Sequence, residues 1–380
     1  MSVSRRYFLK FISPVGTIGL LGLPAYGRAM RRSEGKDWGG LAKRMTGEVV
    51  LPAHSHYAEA CKLFNPRYDS IRPEGLALCQ SAADVSECIA FARRHHLPIA
   101  PRSGGHSYAG WSTGPGIVVD VSRMKSVSVD AAAKTVTVGA GARLVDIHDH
   151  LAPFKLTIPM GSCPTVGIAG LTLGGGISMV SRQFGLTCDN LLSVDVVTAN
   201  GRAHTCNAHR NPDLFWACRG GGGANFGIAT SFTYRAHPAP DVTQQELEWP
   251  WSDAPAVVKA WQSWAPAAPD EVWSNCQLRF DVSREAPRAR VTVVGLGSQQ
   301  NLDKLIDDFV SQVRSQPTRL AETDNHLQAM LALAGCRKWS VDECALAPRG
   351  KVGRAAYAAK SVFFQQSLVS RRDWYRHAPC

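Results

Sequence analysis

The spacing of apolar residues predicts helices and strands that follow one another in no regular order. Apolar side chains recur every three or four residues over 84–94 and again over 144–151, which is typical of amphipathic helices. A further helix is expected over 211–216, with Asn211 as its cap and Pro212 at its first position. Short apolar or alternating runs predict strands at 97–100, 117–121, 135–138 and 191–198, the last ending at an Asn-Gly turn. The pattern indicates an α+β region.

The pattern changes after a proline-containing stretch at 237–240. Beyond it, polar–apolar alternation predicts strands at 244–249, 276–282 and 290–296, and helical spacing predicts helices at 254–264 and 302–313. An antiparallel sheet covered on one face by helices suits this region. A chain of 380 residues also exceeds the usual limit for one hydrophobic core, about 250–300 residues, so two domains are expected.

Composition places the chain among ordinary globular proteins, with 45% hydrophobic and 19% charged residues. The formal net charge is +11 at pH 7. Four of these positive charges lie in residues 1–29, at Arg5, Arg6, Lys10 and Arg28. No basic run is interleaved with aromatic residues, so we expect no nucleic-acid partner.

The first 29 residues match a twin-arginine export signal. Arg5 and Arg6 stand in the run Ser4–Lys10, an apolar stretch follows over 11–25, and Gly27–Ala29 is a small-residue cleavage site. The apolar stretch is shorter than the roughly 20 residues that span a membrane. We therefore expect a periplasmic or secreted protein, with the twin-arginine machinery as a partner and no stable membrane insertion. The alternative is an uncleaved N-terminal anchor.

Cysteine and histidine spacing gives no metal site. The eleven cysteines include no Cys-x-x-Cys pair. His54 and His56, His95 and His96, and His148 and His150 fit no common metal-binding spacing, and solvated positions are the simpler interpretation. One or two disulfides are expected in an exported protein, but their pairing cannot be read from the sequence.

Two glycine-rich segments each contain one nucleophilic side chain. The histidine loop, Pro101–Ser107, contains His106, and the cysteine loop, Gly161–Gly176, contains Cys163. Glycine permits positive φ and close approach of the backbone to a ligand. Successive N–H groups in such loops form an anion-binding concavity suited to a phosphate or pyrophosphate. The histidine and the cysteine in these two loops predict a large anionic cofactor that is bound at two points, with covalent bonding at those points as one form of the binding.

These loops belong to an ordered series of motifs that resembles FAD-linked oxidases of the berberine-bridge-enzyme type. The series runs from the helix at 84–93 through the strand at 117–120 and both loops to the glycine-rich run at 214–227, and it spans roughly residues 70–240. The resemblance implies FAD, a two-part FAD-binding domain of the PCMH type over 68–240, and a substrate-binding domain over 241–365. Residues 366–380 form an atypical tail. The family's last section, with its Tyr-Asn-Tyr-type motif, has no counterpart here, which suggests a truncated chain.

The resemblance also implies which residues bind the flavin. His106 would bond to the 8α-methyl carbon of the isoalloxazine ring, and Cys163 would bond to its C6. The predicted cofactor-binding residues are Arg102, Ser103, Gly104, Gly105, His106, Ser107, Gly161, Cys163, Thr165, Val166, Gly167, Gly170, Gly174, Gly175, Gly227 and Ile228. Arg102 would offset phosphate charge or form a surface ion pair. Ser178 stands where relatives commonly have glycine, and positive φ there would strain a serine.

The predicted function is an exported oxidase with bicovalently attached FAD. It would oxidise a small organic substrate (a sugar, an alcohol or a secondary metabolite) and pass the electrons to O2, giving H2O2. No catalytic residue is assigned, and Tyr108 is the one candidate base. The alternatives are a truncated, inactive flavoprotein remnant and a thiol hydrolase that uses Cys163 with His106 as its base.

Overall fold

The computed structural model describes residues 35–279, 287–296 and 299–346, together with short strands at 361–362 and 376–377. Within these residues the α-helices are α1 (Trp38–Arg44), α2 (Tyr57–Cys61), α3 (Ala82–His95), α4 (Leu144–Leu151), α5 (Ile168–Leu173), α6 (Ser181–Phe184), α7 (Pro212–Ala217), α8 (Ala254–Ala267), α9 (Gln299–Ser311), α10 (His326–Leu333) and α11 (Val341–Leu346). None of them is long and apolar enough to cross a membrane. The twin-arginine segment, residues 1–29, lies outside the described residues.

The strands of the described residues fall into four sheets. They are β1 (Glu48–Val50), β2 (Gly75–Leu78), β3 (Ile99–Arg102), β4 (Ile117–Asp120), β5 (Val127–Asp130), β6 (Thr135–Gly139), β7 (Leu156–Thr157), β8 (Leu191–Val197), β9 (Ala203–Asn207), β10 (Ile228–Arg235), β11 (His237–Pro238), β12 (Val242–Pro250), β13 (Val272–Arg279), β14 (Arg288–Leu296), β15 (Thr318–Asp324), β16 (Ser361–Val362) and β17 (Arg376–His377).

Within the described residues, the first part of the chain contains a small two-stranded sheet of β7 and β11 and two larger sheets of different character. One has the order β1-β2-β4-β3, with β2, β4 and β3 parallel, and the other is antiparallel in the order β5-β6-β10-β8-β9. Helix α3 contacts both sheets, through β4 and β8. Its apolar face, which includes Val85, Ile89 and Phe91, is buried in a core shared with both sheets. The predicted two-part arrangement is therefore present.

Ser81 begins α3 because its hydroxyl accepts a hydrogen bond from the amide of Asp84, at 3.2 Å. Asp84 is itself buried and accepts from the amides of Thr46, Gly47 and Gln80 at 2.8–3.1 Å. Burial tends to raise the pKa of Asp84, but these hydrogen bonds outweigh it and lower the pKa. The helix start is thus fastened to the segment before β1.

The second part of the chain is a six-stranded antiparallel sheet in the order β15-β12-β14-β13-β16-β17. Alternate residues of β12 and β14, such as Leu247, Val291 and Val293, are buried under α8 and α9. The sheet covered on one face by helices is confirmed, and so is the α+β class. The domain boundaries at 240/241 and 365/366 stay predictions.

Helices α10 and α11 return to the first part of the chain. They pack on α4, where Val145 joins Leu331 and Ala345 in one apolar cluster. Cys336, three residues after the end of α10, forms a disulfide with Cys344 of α11. The segment that follows β15 thus supports α4, and α4 in turn contacts the cysteine loop.

Candidate functional site

The histidine loop follows β3, at the carboxyl ends of three parallel strands. Ligands of parallel sheets bind at this edge, where loops leave the strands. Arg102 ends β3, and Gly105 turns the chain with φ of +73°, a conformation that favours glycine. The amide of Phe64 donates to the carbonyl of Gly105 at 3.3 Å, which ties the loop to the segment after α2.

The cysteine loop connects β7 to α5 and continues to Gly176. Its backbone pairs with the start of α4: the amide of Leu144 donates to the carbonyl of Val166, and the amide of Ile168 donates to that of Ala142, both at 3.0 Å. His148, on the next turn of α4, has Nε2 3.3 Å from the carbonyl oxygen of Gly161. Helix α4 therefore positions both ends of the segment around Cys163.

The two loops touch through glycines. A Cβ atom built on Gly104 would lie 2.2 Å from the amide nitrogen of Gly167, and one built on Gly167 would lie 2.0 Å from Oγ of Ser103. Neither position has room for a side chain. The hydroxyl of Ser103 also donates to the carbonyl of Ala140, at 2.7 Å. Backbones that the sequence separates by about sixty residues are thus in direct contact.

His106 projects from one loop onto the other. Its Nε2 lies 2.9 Å from Oγ1 of Thr165, and its ring stacks on Phe64 with centroids 4.0 Å apart and planes inclined by 17°. Burial lowers the pKa of His106 to about 3, so its imidazole is neutral at neutral pH. A neutral, oriented imidazole has a nitrogen lone pair available for bond formation.

Cys163 lies two residues before Thr165 on the same loop, so the loop that binds His106 also contains the predicted second nucleophile. The carbonyl of Cys163 accepts from the amide of Val166 at 3.3 Å. Its sulfur forms a disulfide, so bonding to a flavin at this residue requires that the disulfide is first reduced. In the hydrolase alternative, His106 would accept a proton from the thiol of Cys163. Nε2 of His106 instead lies at hydrogen-bond distance from Thr165, which does not favour that alternative.

Arg102 does not form the surface ion pair considered from the sequence. Its side chain is buried, with Nη1 3.7 Å from Oδ2 of Asp120, itself buried. Nη1 and Nε also donate to the carbonyls of Ala60 and Ser112, at 2.6 and 3.0 Å. Burial tends to lower the pKa of Arg102, and Asp120 opposes the shift. The guanidinium supports the base of the histidine loop, and contact with a phosphate stays a prediction.

A third glycine-rich segment, 220–227, lies beside the end of the cysteine loop. The amide of Gly222 donates to the carbonyl of Leu173 at 2.8 Å, and a Cβ on Gly227 would lie 2.5 Å from Cγ1 of Val196. The segment and α5 border a small pocket, lined by residues that include Leu173, Gly222, Asn225, Phe226 and Gly227. Ile228 starts β10 and is buried against Val197 of β8. The predicted residues Gly227 and Ile228 are therefore close to the cysteine loop.

The other predicted residues lie in or directly after α5 and at the end of the histidine loop. Gly174 continues from α5 and Gly175 has φ of +111°, whereas a Cβ on Gly170 would meet no atom within 4 Å. The hydroxyl of Ser107 accepts from the amide of Trp111 at 3.1 Å. Tyr108 is exposed, and its carbonyl accepts from the hydroxyl of Tyr68 at 2.6 Å.

The condition for strain at Ser178 is not met, because Ser178 is not among the positive-φ residues. The expectation for His148 is wrong. His148 is buried, not solvated, because it faces Gly161 and the ring of His326, 5.8 Å away. Among the described residues, no group of three or more His, Cys, Asp or Glu side chains is placed to hold a metal ion.

Comparison with known proteins identifies the family. Residues 73–207 match the family model described as FAD binding domain. An uncharacterized FAD-linked oxidoreductase of Bacillus subtilis, YgaK, is 35% identical over 76% of this chain and 64% of its own length. The solved structure of Physcomitrella patens BBE-like 1 superimposes with a TM-score of 0.75 at 33% identity, over 80% of this chain and 66% of that one.

This chain belongs to the berberine bridge enzyme-like family of FAD-linked oxidoreductases. Its cofactor is FAD, as predicted. A further relative, the (R)-6-hydroxynicotine oxidase of Paenarthrobacter nicotinovorans, is 36% identical over 51% of this chain and 42% of its own length. The chain spans 64% and 59% of the length of two Bacillus subtilis relatives, YgaK and YvdP.

The residues present fit an FAD site of this family. Gly104 and Gly167 lack room for side chains because the two loops meet there, whereas Gly170 faces space that no described atom fills. His106 is neutral and is oriented between Thr165 and Phe64. Phe64 lies 42 positions before His106 in a stretch without a recognisable motif, so its contact with His106 could not be predicted from the sequence. The same is true of the side-chain contact made by Thr165.

Proposed function

We propose that this protein is an exported FAD-dependent oxidase whose flavin is covalently attached at His106, with Cys163 as the second attachment point. One observation carries the proposal. His106 contacts the cysteine loop at Thr165, two residues from Cys163, which supports the attachment of one flavin to both residues. Bound there, FAD would accept a hydride from a small organic substrate and deliver two electrons to O2, giving H2O2.

The protein's part is to hold the flavin and its reaction partners. Backbone amides of the histidine loop and of the cysteine loop would bind the pyrophosphate and ribityl groups, because the glycines allow close approach. Gly227 and Ile228, at the start of β10, would border the same site. The face of the six-stranded sheet that is opposite α8 and α9 would position the substrate. Its polar side chains include Glu246, Glu248 and Arg290, which are joined by ion pairs at 2.9 and 3.3 Å.

Covalent attachment at His106 would be a two-electron oxidation. A bond forms between an imidazole nitrogen and the 8α carbon, one hydrogen leaves the 8α methyl group and one leaves the imidazole. The two electrons released pass through the flavin to O2, which takes up both protons and becomes H2O2. Before Cys163 can be attached, a dithiol reductant must open its disulfide by thiol–disulfide exchange, and the reductant becomes a disulfide in turn. The free thiol would then lose its hydrogen, C6 would lose one hydrogen, and O2 would take up the two electrons and both protons.

The decisive experiment is acid precipitation of the purified full chain, followed by measurement of flavin absorbance in the pellet. We expect the yellow colour to remain with the polypeptide. His106→Ala and Cys163→Ala should each leave a single linkage, and the double variant should release all of its flavin. Flavin fully released from the unmodified protein would refute covalent attachment, and anaerobic exposure to candidate substrates without bleaching would argue against the oxidase.

Export by the twin-arginine route is a second proposal, supported by the motif at Arg5 and Arg6. The disulfide between Cys336 and Cys344 agrees with an oxidising compartment. Residues 1–35 fused to a folded reporter should send it to the periplasm. Arg5→Lys with Arg6→Lys should keep the reporter in the cytoplasm, and export that survives this double change would contradict the route.

A further inference from the structure

His106 is held on two sides by residues from different segments. Thr165 contacts its Nε2 at 2.9 Å, and Phe64 stacks on its ring face at 4.0 Å between centroids. The backbone of Phe64 is fixed to the same loop by the hydrogen bond to the carbonyl of Gly105. Rotation of the imidazole about its Cβ–Cγ bond would break the contact with Thr165 and the stacking on Phe64 together.

The two imidazole nitrogens therefore differ. A neutral imidazole has one N–H and one lone pair, and the hydrogen bond made by one nitrogen fixes the state of the other. In the described part of the chain, the hydrogen bond of this ring is made by Nε2, and none reaches Nδ1. If Nε2 has the proton and donates to Thr165, the lone pair is on Nδ1. If the hydroxyl of Thr165 donates instead, Nδ1 has the proton and is not a nucleophile.

We propose that Thr165 and Phe64 are positioning residues for flavin attachment, with Nε2–H of His106 donating to Oγ1 of Thr165 so that Nδ1 forms the bond to the 8α carbon. This inference rests on the proposed function, since it assumes attachment at His106. The bond forms from the Nδ1 lone pair, the 8α carbon loses one hydrogen, and the Nε2 proton is released along the hydrogen bond to Thr165. The two electrons go to O2 as described above.

The same contact exists elsewhere in the chain and supplies a matched control. His326 has its Nε2 2.9 Å from Oγ1 of Thr157, on β7. Thr157→Val and Thr165→Val therefore each remove one hydroxyl group bonded to a histidine Nε2 at the same distance. Only the second change acts directly on the predicted attachment site.

The test follows covalent attachment in the full chain, incubated with excess FAD in air and sampled by acid precipitation. We expect attachment to be roughly 10- to 100-fold slower in Thr165→Val, because the nucleophile loses its fixed orientation. Thr165→Ser keeps a hydroxyl group and should restore the rate. Thr157→Val reaches the cysteine loop only indirectly, through His326 and His148, and should slow attachment far less than Thr165→Val does. Phe64→Leu, which keeps apolar volume without a stacking ring, should also slow attachment.

A second readout identifies the bonded atom. The flavinylated peptide, isolated after proteolysis and examined by NMR, should have its linkage at Nδ1. A linkage at Nε2, or attachment in Thr165→Val at the unmodified rate, would overturn the inference while leaving attachment at His106 intact. Slow attachment in both Thr165→Val and Thr165→Ser, with thermal unfolding unchanged, would also overturn it. No covalent flavin in the unmodified protein would remove the proposed linkage and this inference together.

Discussion

Nη1 of Arg102 lies 3.7 Å from Oδ2 of Asp120, and about nine-tenths of each side chain is shielded from solvent. Burial raises the pKa of Asp120, and the charge of Arg102 partly opposes the shift. A buried ion pair is costly to form, and it is still more costly to break by removing one partner.

Arg102→Met should therefore lower the free energy of unfolding by about 3–5 kcal/mol, because it leaves Asp120 buried without its counter-ion. The measurement is urea unfolding at neutral pH. Arg102→Met with Asp120→Asn should cost less than the single change. Arg44→Ala removes the exposed pair with Glu87 and should cost under about 1 kcal/mol; equal costs at the two sites would contradict the argument.

Gly167→Ala should separate the histidine loop from the cysteine loop. Its added methyl group would lie 2.0 Å from Oγ of Ser103 and 2.3 Å from the amide nitrogen of Gly104, so one backbone must move. We expect a loss of about 1–3 kcal/mol in unfolding free energy and weaker FAD binding, measured by fluorescence titration. Gly114→Ala is the control, since its methyl would lie 3.7 Å from Cβ of Ala100, an ordinary contact.

Gly170→Ala tests whether the face of α5 that projects into open space is a cofactor surface. The added methyl meets no protein atom within 4 Å, and alanine favours a helix over glycine by about 1 kcal/mol. The flavin-free protein should be as stable as before or slightly more stable, while FAD affinity should fall. Unchanged affinity in an isothermal titration would remove Gly170 from the site.

Acid should destabilise the contact between α4 and α10. Burial lowers the pKa of His148 to about 4 and that of His326 to about 3. The ordinary value is near 6.5, so below it the unfolded chain binds more protons than the folded one, and stability falls as pH falls. The loss begins below about pH 6.5 and continues to about pH 4, reaching on the order of 3 kcal/mol for His148 alone. His148→Gln should flatten the dependence of the melting temperature over this range.

The apolar spacing predicted the long, regular elements well. Helix α4 has the predicted bounds of 144–151, and the hairpin of β8 and β9 turns at Gly201 with φ of +80°. Asn211 precedes α7 as expected, yet its side chain donates to the carbonyl of Thr205 and does not cap the helix. Side-chain caps depend on competing partners that the local sequence does not show.

The site was predicted in part. The resemblance identified both loops, because their glycines are contiguous motifs. Phe64 and Asp120 could not be identified from the sequence. Phe64 stacks on His106, which is distant in sequence, and Asp120 pairs with Arg102 on the adjacent strand. Strand β15, with exposed and half-buried residues, has no apolar alternation to reveal it. It forms because β12 offers it a complete antiparallel register.

His148 connects helix α10 to the cysteine loop. One imidazole faces the carbonyl of Gly161 on one side and the ring of His326 on the other. Opening the Cys336–Cys344 disulfide, or cutting the chain near it, should loosen α10 and so weaken the support that His148 gives to the cysteine loop. Reduction of this disulfide, or proteolysis near it, should then change the fluorescence of a flavin bound at the cysteine loop.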